Sequence, residues 1–470
     1  MLYIAIALLA IIAVGYFIYK RVHAASAIFA VGVILLMIAA ATGRVDHTSL
    51  DIEPSDNSFY DELLVVEQLF KSRFSGTGMA IMVLFGFVGY MRHIGADART
   101  VVALSRPLQR FHGSYWLVPL GFLVGTLLSL VVPSASALSL LLVATLLPAL
   151  IAAGLTPLTV GAIIVTASTI VPTPLEAGLI QGADLAGMSV TEFAFGSVAK
   201  ATVPALIVTA FVHMWWQWRC DKKDARREQE QSLIDAPESA TSDDRVEDAM
   251  RRAQGLPGYY AVLPLLPLVL IIVSALLNRL GVVSFEADIL PVTVVSLLVT
   301  MVIESIRHRN VNSAIDDLNH FFRGLGEGAG GVVALIVAAA ILVEGITQMG
   351  VIDALTNLAG DSHGAAAIIV LIFVVATGLM AMLTGSGVAP YFAFSEMVPG
   401  LATSSSIHAP QMLTSIWATS NTMRQASPVN AAVLIVAGAL DANPVEIIRR
   451  TIVPMLAATV VSVLCAFLFI

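Results

Sequence analysis

A polar segment in the last quarter of the chain carries side chains suited to binding an anion. Ser420–Thr422 offer hydroxyl and amide groups, and Arg424 adds a planar cation whose paired donors match a carboxylate. The segment lies between two apolar runs, 412–416 and 431–440, each shorter than the roughly 20 residues that a membrane span needs. Arg424 is therefore predicted near mid-membrane, where a charge marks a substrate or ion path.

The first half of the chain contains a similar polar break. Ser168 and Thr169 lie just before Pro172 and Pro174, and two prolines flanking one residue interrupt helical hydrogen bonds. A helix that restarts after such a break presents free N–H groups that favour an anion. Both breaks are therefore predicted to line a binding site, although hydroxyl groups in membrane helices also serve as packing residues.

Three carboxylates are predicted within the membrane, namely Glu176, Glu344 and Glu396. Glu176 follows a proline in the first break just as Asn430 does in the second, which makes these two positions candidates for coupling to an ion. The alternatives for Glu176 are a structural role or an ion pair with Arg424.

Two further apolar stretches are interrupted by small polar residues, at 132–136 and 384–390. We expect two re-entrant hairpins there, about 114–153 and 364–400, with tips that meet near the midplane. The alternatives are a kink in one continuous helix or a loop between two full spans.

The composition predicts an all-α polytopic membrane protein. Of its 470 residues, 57% are hydrophobic and 12% are charged. The two cysteines provide neither a disulfide framework nor a metal signature, and we find no nucleophile–base arrangement of an enzyme. We therefore predict no catalytic residue, no metal site and no cofactor.

Basic residues fall mainly in alternate loops, which orients the chain because Lys and Arg are retained in the cytoplasm. Both termini are then predicted on the outer, periplasmic side. Landmarks of the two halves, such as Ser134 with Ser386 and Ser168 with Ser420, recur at one separation along the chain, and the halves run in opposite directions. This predicts an inverted repeat, as in many secondary carriers.

The predicted organisation has three parts. The first membrane half, 1–218, holds a surface helix at about 61–73, the first hairpin and a broken helix at about 157–180. A charged cytoplasmic linker follows at 219–255. The second membrane half, 256–470, holds the second hairpin and a broken helix at about 410–440.

Segments 86–96, 384–394 and 427–429 resemble signatures of the DcuC family of anaerobic C4-dicarboxylate carriers, within the ion-transporter superfamily. The resemblance runs over nearly the whole chain. It implies a carrier of succinate, fumarate or malate in the bacterial inner membrane, with a scaffold, an elevator-like transport domain and usually a homodimer. It also implies an arginine at the position of Arg424. Val388 departs from the family pattern, which usually has Asn there.

We therefore predict a secondary transporter of C4-dicarboxylates that works by alternating access, as an exchanger or coupled to Na⁺ or H⁺. The alternatives are a carrier of another small carboxylate and an anion channel. The expected partners are small dicarboxylate anions, the lipid bilayer and a second copy of the chain, but no nucleic acid. The predicted substrate-binding residues are Ser134, Ser136, Ser168, Thr169, Thr384, Ser386, Ser420, Asn421, Thr422 and Arg424.

Overall fold

The structure is a computed structural model. It describes residues 2–20, 22–44, 52, 55–105, 114–132, 134–231, 255–285, 287–351, 354, 363–404 and 407–470.

Helices and their connecting turns make up the described residues, and no strand occurs among them. The helices of the first half are α1 (Leu2–Tyr19), α2 (Ala24–Thr42), α3 (Ser58–Arg73), α4 (Met79–His93), α5 (Ala96–Ser105), α6 (Leu117–Leu128), α7 (Ala135–Ala152), α8 (Pro157–Thr166), α9 (Ala177–Ala186) and α10 (Ala199–Gln231). Those of the second half are α11 (Leu266–Arg279), α12 (Ile289–His308), α13 (Val311–Asp316), α14 (Leu318–Gly328), α15 (Ala334–Gln348), α16 (His363–Thr384), α17 (Val388–Ser395), α18 (Val398–Ser404), α19 (Ala409–Met423), α20 (Ala431–Ala439) and α21 (Pro444–Phe469).

Nine helical segments within the described ranges are long and apolar enough to cross a membrane. Four of them join α-helix to a short π or 3-10 stretch without interruption, as in Ser58–His93, where Gly76 departs from helical geometry. The chain is thus an all-α multi-span membrane protein, as its composition predicts.

The two predicted breaks lie between short helices. In the first half, α8 ends at Thr166 and α9 begins at Ala177. In the second half, α19 ends at Met423, one tight turn covers Arg424–Ala426, and α20 begins at Ala431. Ser168 and Thr169 therefore occupy non-helical backbone, which at membrane depth must be buried in protein or line a cavity. In the second break, Ser420–Thr422 form the last turn of α19, and Arg424 begins the tight turn that follows.

The two polar interruptions at 132–136 and 384–390 join pairs of helices, and we call them the first and second joint. The arms of each pair are unequal. At the first joint, α6 has 12 residues and α7 has 18. At the second, α16 has 22 residues and is followed by two short helices of 8 and 7 residues, α17 and α18. Only one arm of each pair therefore reaches the length of a membrane span.

Helices α4 and α14 cross in close contact because glycines lie where they meet. A Cβ added to Gly324 would lie 2.5 Å from the carbonyl oxygen of Phe85, and one added to Gly89 would lie 2.8 Å from that of His320. Both contacts are with backbone, so neither can be relieved by turning a side chain. The crossing thus places α14 directly against α4, which also lines the site described below.

The far end of α10 is fastened to α21 by buried charges. Arg450 is 2% exposed and binds Asp221 and Asp224, with Nη2 of Arg450 2.7 Å from Oδ2 of Asp224. Because α10 continues to Gln231, the start of the predicted linker is helical, and its residues 232–254 lie outside the described residues.

Candidate functional site

A cavity of about 90 Å³ lies where α4, the first joint and the two breaks come together. We call it the central cavity. Its volume is several times the roughly 10–15 Å³ that one water needs. Its polar lining comes from both halves of the chain: Arg92, Asp97, Ser129, Ser168, Thr169, Thr173, Glu176, Trp417, Asn421 and Arg424.

Arg424 begins the tight turn after α19, so its side chain leaves the broken helix at the break itself. Its Nη2 donates to the carbonyl oxygen and to Oγ of Ser168, at 2.9 and 3.2 Å. Its Nε is buried without a hydrogen-bond partner, and no ion pair to Arg424 occurs among the described residues. An arginine with a spare buried donor beside a cavity can accept a carboxylate there.

Glu176 lines the same cavity but has other partners. It is the N-cap of α9, where its Oε2 accepts from the Leu179 N–H at 2.9 Å. The same oxygen accepts from Nε1 of Trp417 at 2.8 Å. The Arg424–Glu176 ion pair that the sequence left open as an alternative is therefore not formed in this structure.

Asn430 holds the equivalent place in the second break. Its Oδ1 accepts from the Ala432 N–H at 2.9 Å and so caps α20, and its Nδ2 donates to the carbonyl oxygen of Gly385 at 2.9 Å. Ser420 donates to the carbonyl oxygen of Gly387. These two bonds fasten the second joint to the second break.

The second joint depends on glycine at residue 385. Gly385 has a φ of +69°, which side-chain-bearing residues rarely adopt, and a Cβ there would lie 2.7 Å from the backbone nitrogen of Asn430. The joint can approach the break so closely only because no side chain intervenes.

The hydroxyl groups of the joints bond mainly to nearby backbone groups. Ser134 accepts from the Ala137 N–H at the start of α7, and Ser386 accepts from the Ala389 N–H at the start of α17, at 3.4 and 3.3 Å. Oγ of Ser136 lies 3.2 Å from Oγ of Ser134. Thr384 donates to the Met380 carbonyl oxygen and accepts from the Ser386 N–H. None of these four residues is in the cavity lining.

The remaining predicted residues separate into two groups. Thr169 and Asn421 lie in the cavity lining, and Oγ1 of Thr169 is buried without a partner. Asn421 donates to the Trp417 carbonyl oxygen at 3.1 Å. Thr422 instead contacts α21, with its Oγ1 2.6 Å from Oγ1 of Thr459, and is not in the cavity lining.

Sequence reasoning missed several cavity residues. Trp417, Arg92 and Asp97 line the cavity, and none of them was among the predicted ligands. Burial raises the pKa of Asp97 to about 6, against the opposing effects of the Ala98 N–H and Arg92. The signal that could have drawn attention to them is the motif 86–96, because Arg92 lies within it and Asp97 directly follows it.

Two comparisons place the chain among known proteins. A sequence model of the family described as DcuC, C4-dicarboxylate anaerobic carrier, matches residues 2–470. The anaerobic C4-dicarboxylate transporter DcuC of Escherichia coli O6:H1 is 32% identical over 467 residues, which cover 99% of this chain and 96% of that protein. The transporter of the same name from Shigella flexneri is 31% identical with the same coverage.

A family match over nearly the full length, together with relatives above 30% identity, establishes membership. The family and these relatives are carriers rather than enzymes. The chain belongs to the DcuC family of C4-dicarboxylate anaerobic carriers.

Proposed function

We propose that the protein is a secondary carrier that moves C4-dicarboxylates such as succinate, fumarate and malate across the bacterial inner membrane. The observation that carries the proposal is Arg424, which lines the central cavity with a buried Nε that has no partner. A buried donor without a partner is unfavourable, and a bound carboxylate would supply the missing acceptor.

In this proposal Arg424 binds one carboxylate of the substrate. Ser168, Thr169 and Asn421 lie in the same cavity lining and are the nearest candidates for the rest of the molecule. Ser134, Ser136, Thr384, Ser386, Ser420 and Thr422 stay predicted ligands. Their hydrogen bonds in this state go to backbone and to neighbouring side chains. Contact with substrate therefore requires the joints to rearrange and, for Thr422, α19 to separate from α21.

We further propose that the two halves form an inverted repeat with two re-entrant hairpins, working by alternating access as an elevator in a homodimer. Support comes from positions that correspond in sequence and share a structural role. Glu176 and Asn430 each cap the helix after a break, and Ser134 and Ser386 each accept from an N–H in the first turn of the helix after a joint. Repeated caps at repeated positions are expected if one fold occurs twice.

Transport is then driven by exchange of dicarboxylates or by a gradient of Na⁺ or H⁺. Glu176 and Asn430 are the candidate coupling positions within the breaks, since each places side-chain oxygen where a helix restarts. Glu176 lines the central cavity, whereas Asn430 bonds to the second joint.

The test is uptake of labelled succinate, fumarate and malate into proteoliposomes, with lactate as a monocarboxylate comparison. We expect unlabelled succinate loaded inside to accelerate entry of labelled succinate, because a carrier returns faster when loaded. An anion channel gives no such acceleration, so its absence would contradict the carrier. Faster exchange of lactate than of every diacid would instead identify a carrier of another small carboxylate.

A further inference from the structure

A second group of polar side chains lies away from the cavity lining, around the buried carboxylate of Glu396. Glu396 follows α17, and its side chain is 3% exposed. Nη2 of Arg73, at the end of α3, lies 2.6 Å from its Oε2. Nε2 of Gln181, on α9, donates to its Oε1. Elements from both halves of the chain therefore meet at this one carboxylate.

Arg73 also faces a second acceptor. Its Nη1 lies 3.8 Å from Oδ2 of Asp184, whose side chain is 53% exposed. A cavity of about 330 Å³, lined in part by Asp184 and by Ser75–Thr77, lies beside this pair. The guanidinium is thus positioned between a buried carboxylate and one that water reaches.

Three polar atoms of this group have no hydrogen-bond partner. They are Oε1 of Gln181, Oη of Tyr391 and Nε of Arg73, and all three are buried. Tyr391 lies within electrostatic reach of both Glu396 and Glu176. If Glu396 carried a proton, its O–H could donate to Oε1 of Gln181 once that amide turns over, and the amide nitrogen would then take the position that has no partner now. The Gln181 amide can therefore pair with Glu396 in either protonation state.

We propose that Glu396 is a proton-binding site that couples transport to H⁺, with Arg73 passing to Asp184 when the proton binds. The proton comes from water on the side of Asp184, which the basic-residue pattern predicts to be periplasmic. It forms an O–H bond on the Glu396 carboxylate, which changes the charge of that group from −1 to zero. The charged groups that face Glu396 within the described residues are Arg73 and Asp184, and Tyr391 and Glu176 are the other titratable groups near it.

Loss of the ion pair would free the helix after the second joint from α3. Arg73 is the last residue of α3, immediately before the irregular turn at Gly76, and Glu396 lies between α17 and α18. Protonation therefore acts at the contact between α3 and the chain that follows the second joint, α17 and α18. The proposal rests on the carrier function proposed above, since it concerns how that carrier is driven.

The test compares wild type with Glu396→Gln in proteoliposomes. Two quantities are measured: exchange of labelled for unlabelled succinate, and net uptake driven by an imposed pH gradient with a pH-sensitive dye present. Gln resembles a permanently protonated Glu. We expect exchange within about threefold of wild type, at least a tenfold loss of pH-driven uptake, and no proton movement with substrate.

Glu344→Gln is the matched control, because Glu344 is another membrane carboxylate that accepts from a glutamine amide, that of Gln348. We expect it to keep both pH-driven uptake and proton movement. Loss of coupling in Glu344→Gln with coupling retained in Glu396→Gln would overturn the proposal.

If Glu396→Gln does not fold, a second variant tests the same proposal. The double variant Arg73→Gln with Glu396→Gln removes the whole ion pair and leaves no buried unpaired charge, since Asp184, the other partner of Arg73, is half exposed. We expect exchange without proton movement, and proton-coupled uptake by this folded variant would refute the proton site. If wild type itself shows no succinate exchange, the carrier function fails; if wild type exchanges and Glu396→Gln stays fully coupled, only the proton site fails.

Discussion

At the scale of single residues, Arg424 and Glu176 share a cavity without forming an ion pair. Arg424 donates to Ser168, whereas Glu176 accepts from Trp417 and caps α9. Each side chain therefore keeps its position without the other. This arrangement favours a role for Arg424 toward a ligand over a role as a structural counter-ion.

Arg424→Lys should separate these roles. Lysine keeps the charge but loses the fork of paired donors, and one lost hydrogen bond to a charged group costs roughly 1.5–3 kcal/mol. We expect uptake of succinate per folded carrier to fall roughly tenfold to a hundredfold, with unchanged protein abundance. Arg279→Lys, at the exposed end of α11, is the control and should transport normally.

A purely structural role for Arg424 predicts a different result. If Arg424 only neutralises Glu176, Arg424→Ala combined with Glu176→Gln should restore both protein abundance and succinate uptake. Normal uptake by that double variant would remove Arg424 from the binding site.

At the scale of helices, the crossing of α4 and α14 is predicted to be intolerant of even one methyl group. A Cβ at residue 324 meets the backbone of Phe85 at 2.5 Å, so the helices must separate. We expect Gly324→Ala to cost about 1–3 kcal/mol, as overpacking in a close-packed core does. Thermal unfolding in detergent is the measurement.

Gly326→Ala is its matched control on the same helix, since a Cβ there has no neighbour within 4 Å. It should leave the melting temperature unchanged or raise it slightly, because alanine favours helix over glycine. Equal destabilisation by both variants would mean that the crossing does not depend on close glycine contact.

The positions of the breaks could be predicted from the sequence, because proline and small polar residues interrupt apolar runs there. The hydrogen-bonding roles of the hydroxyl groups in the joints could not be predicted from the sequence. Ser134 and Ser386 carry hydroxyl groups that could bind an anion, but every α-helix has first-turn N–H groups that need acceptors, and these serines supply them.

The contacts between the two halves of the chain could not be predicted from the sequence either. The bond from Trp417 to Glu176 and the ion pair from Arg73 to Glu396 join residues far apart in the chain. The sequence places Arg73 at the end of the predicted surface helix and Trp417 beside the second break, but only the tertiary fold brings each to its partner. Sequence alone therefore identified the second break but only part of its surroundings.

At the scale of the whole molecule, the basic-residue pattern predicts which loops face outward. Single cysteines at Ser55 and Asn443 test it with a membrane-impermeant maleimide on intact cells. We expect position 55 to label directly and position 443 to label only after the membrane is opened. Cys220 and Cys465 are buried, so the parent protein should label weakly. Direct labelling at position 443 would contradict the opposite orientation of the two halves.

The unequal lining of the central cavity has a consequence for stereochemistry. The two carboxylates of succinate are equivalent, but the groups that await them are not, since Arg424 is a cation, Glu176 a carboxylate that already accepts two hydrogen bonds, and Asn421 a neutral amide. A diacid held by unlike groups at its two ends has a fixed direction. The hydroxyl group of malate then points to different walls of the cavity in its two mirror-image forms. A site that hydrogen-bonds one of them leaves buried polar groups unpaired with the other, so this carrier should distinguish the two enantiomers of malate.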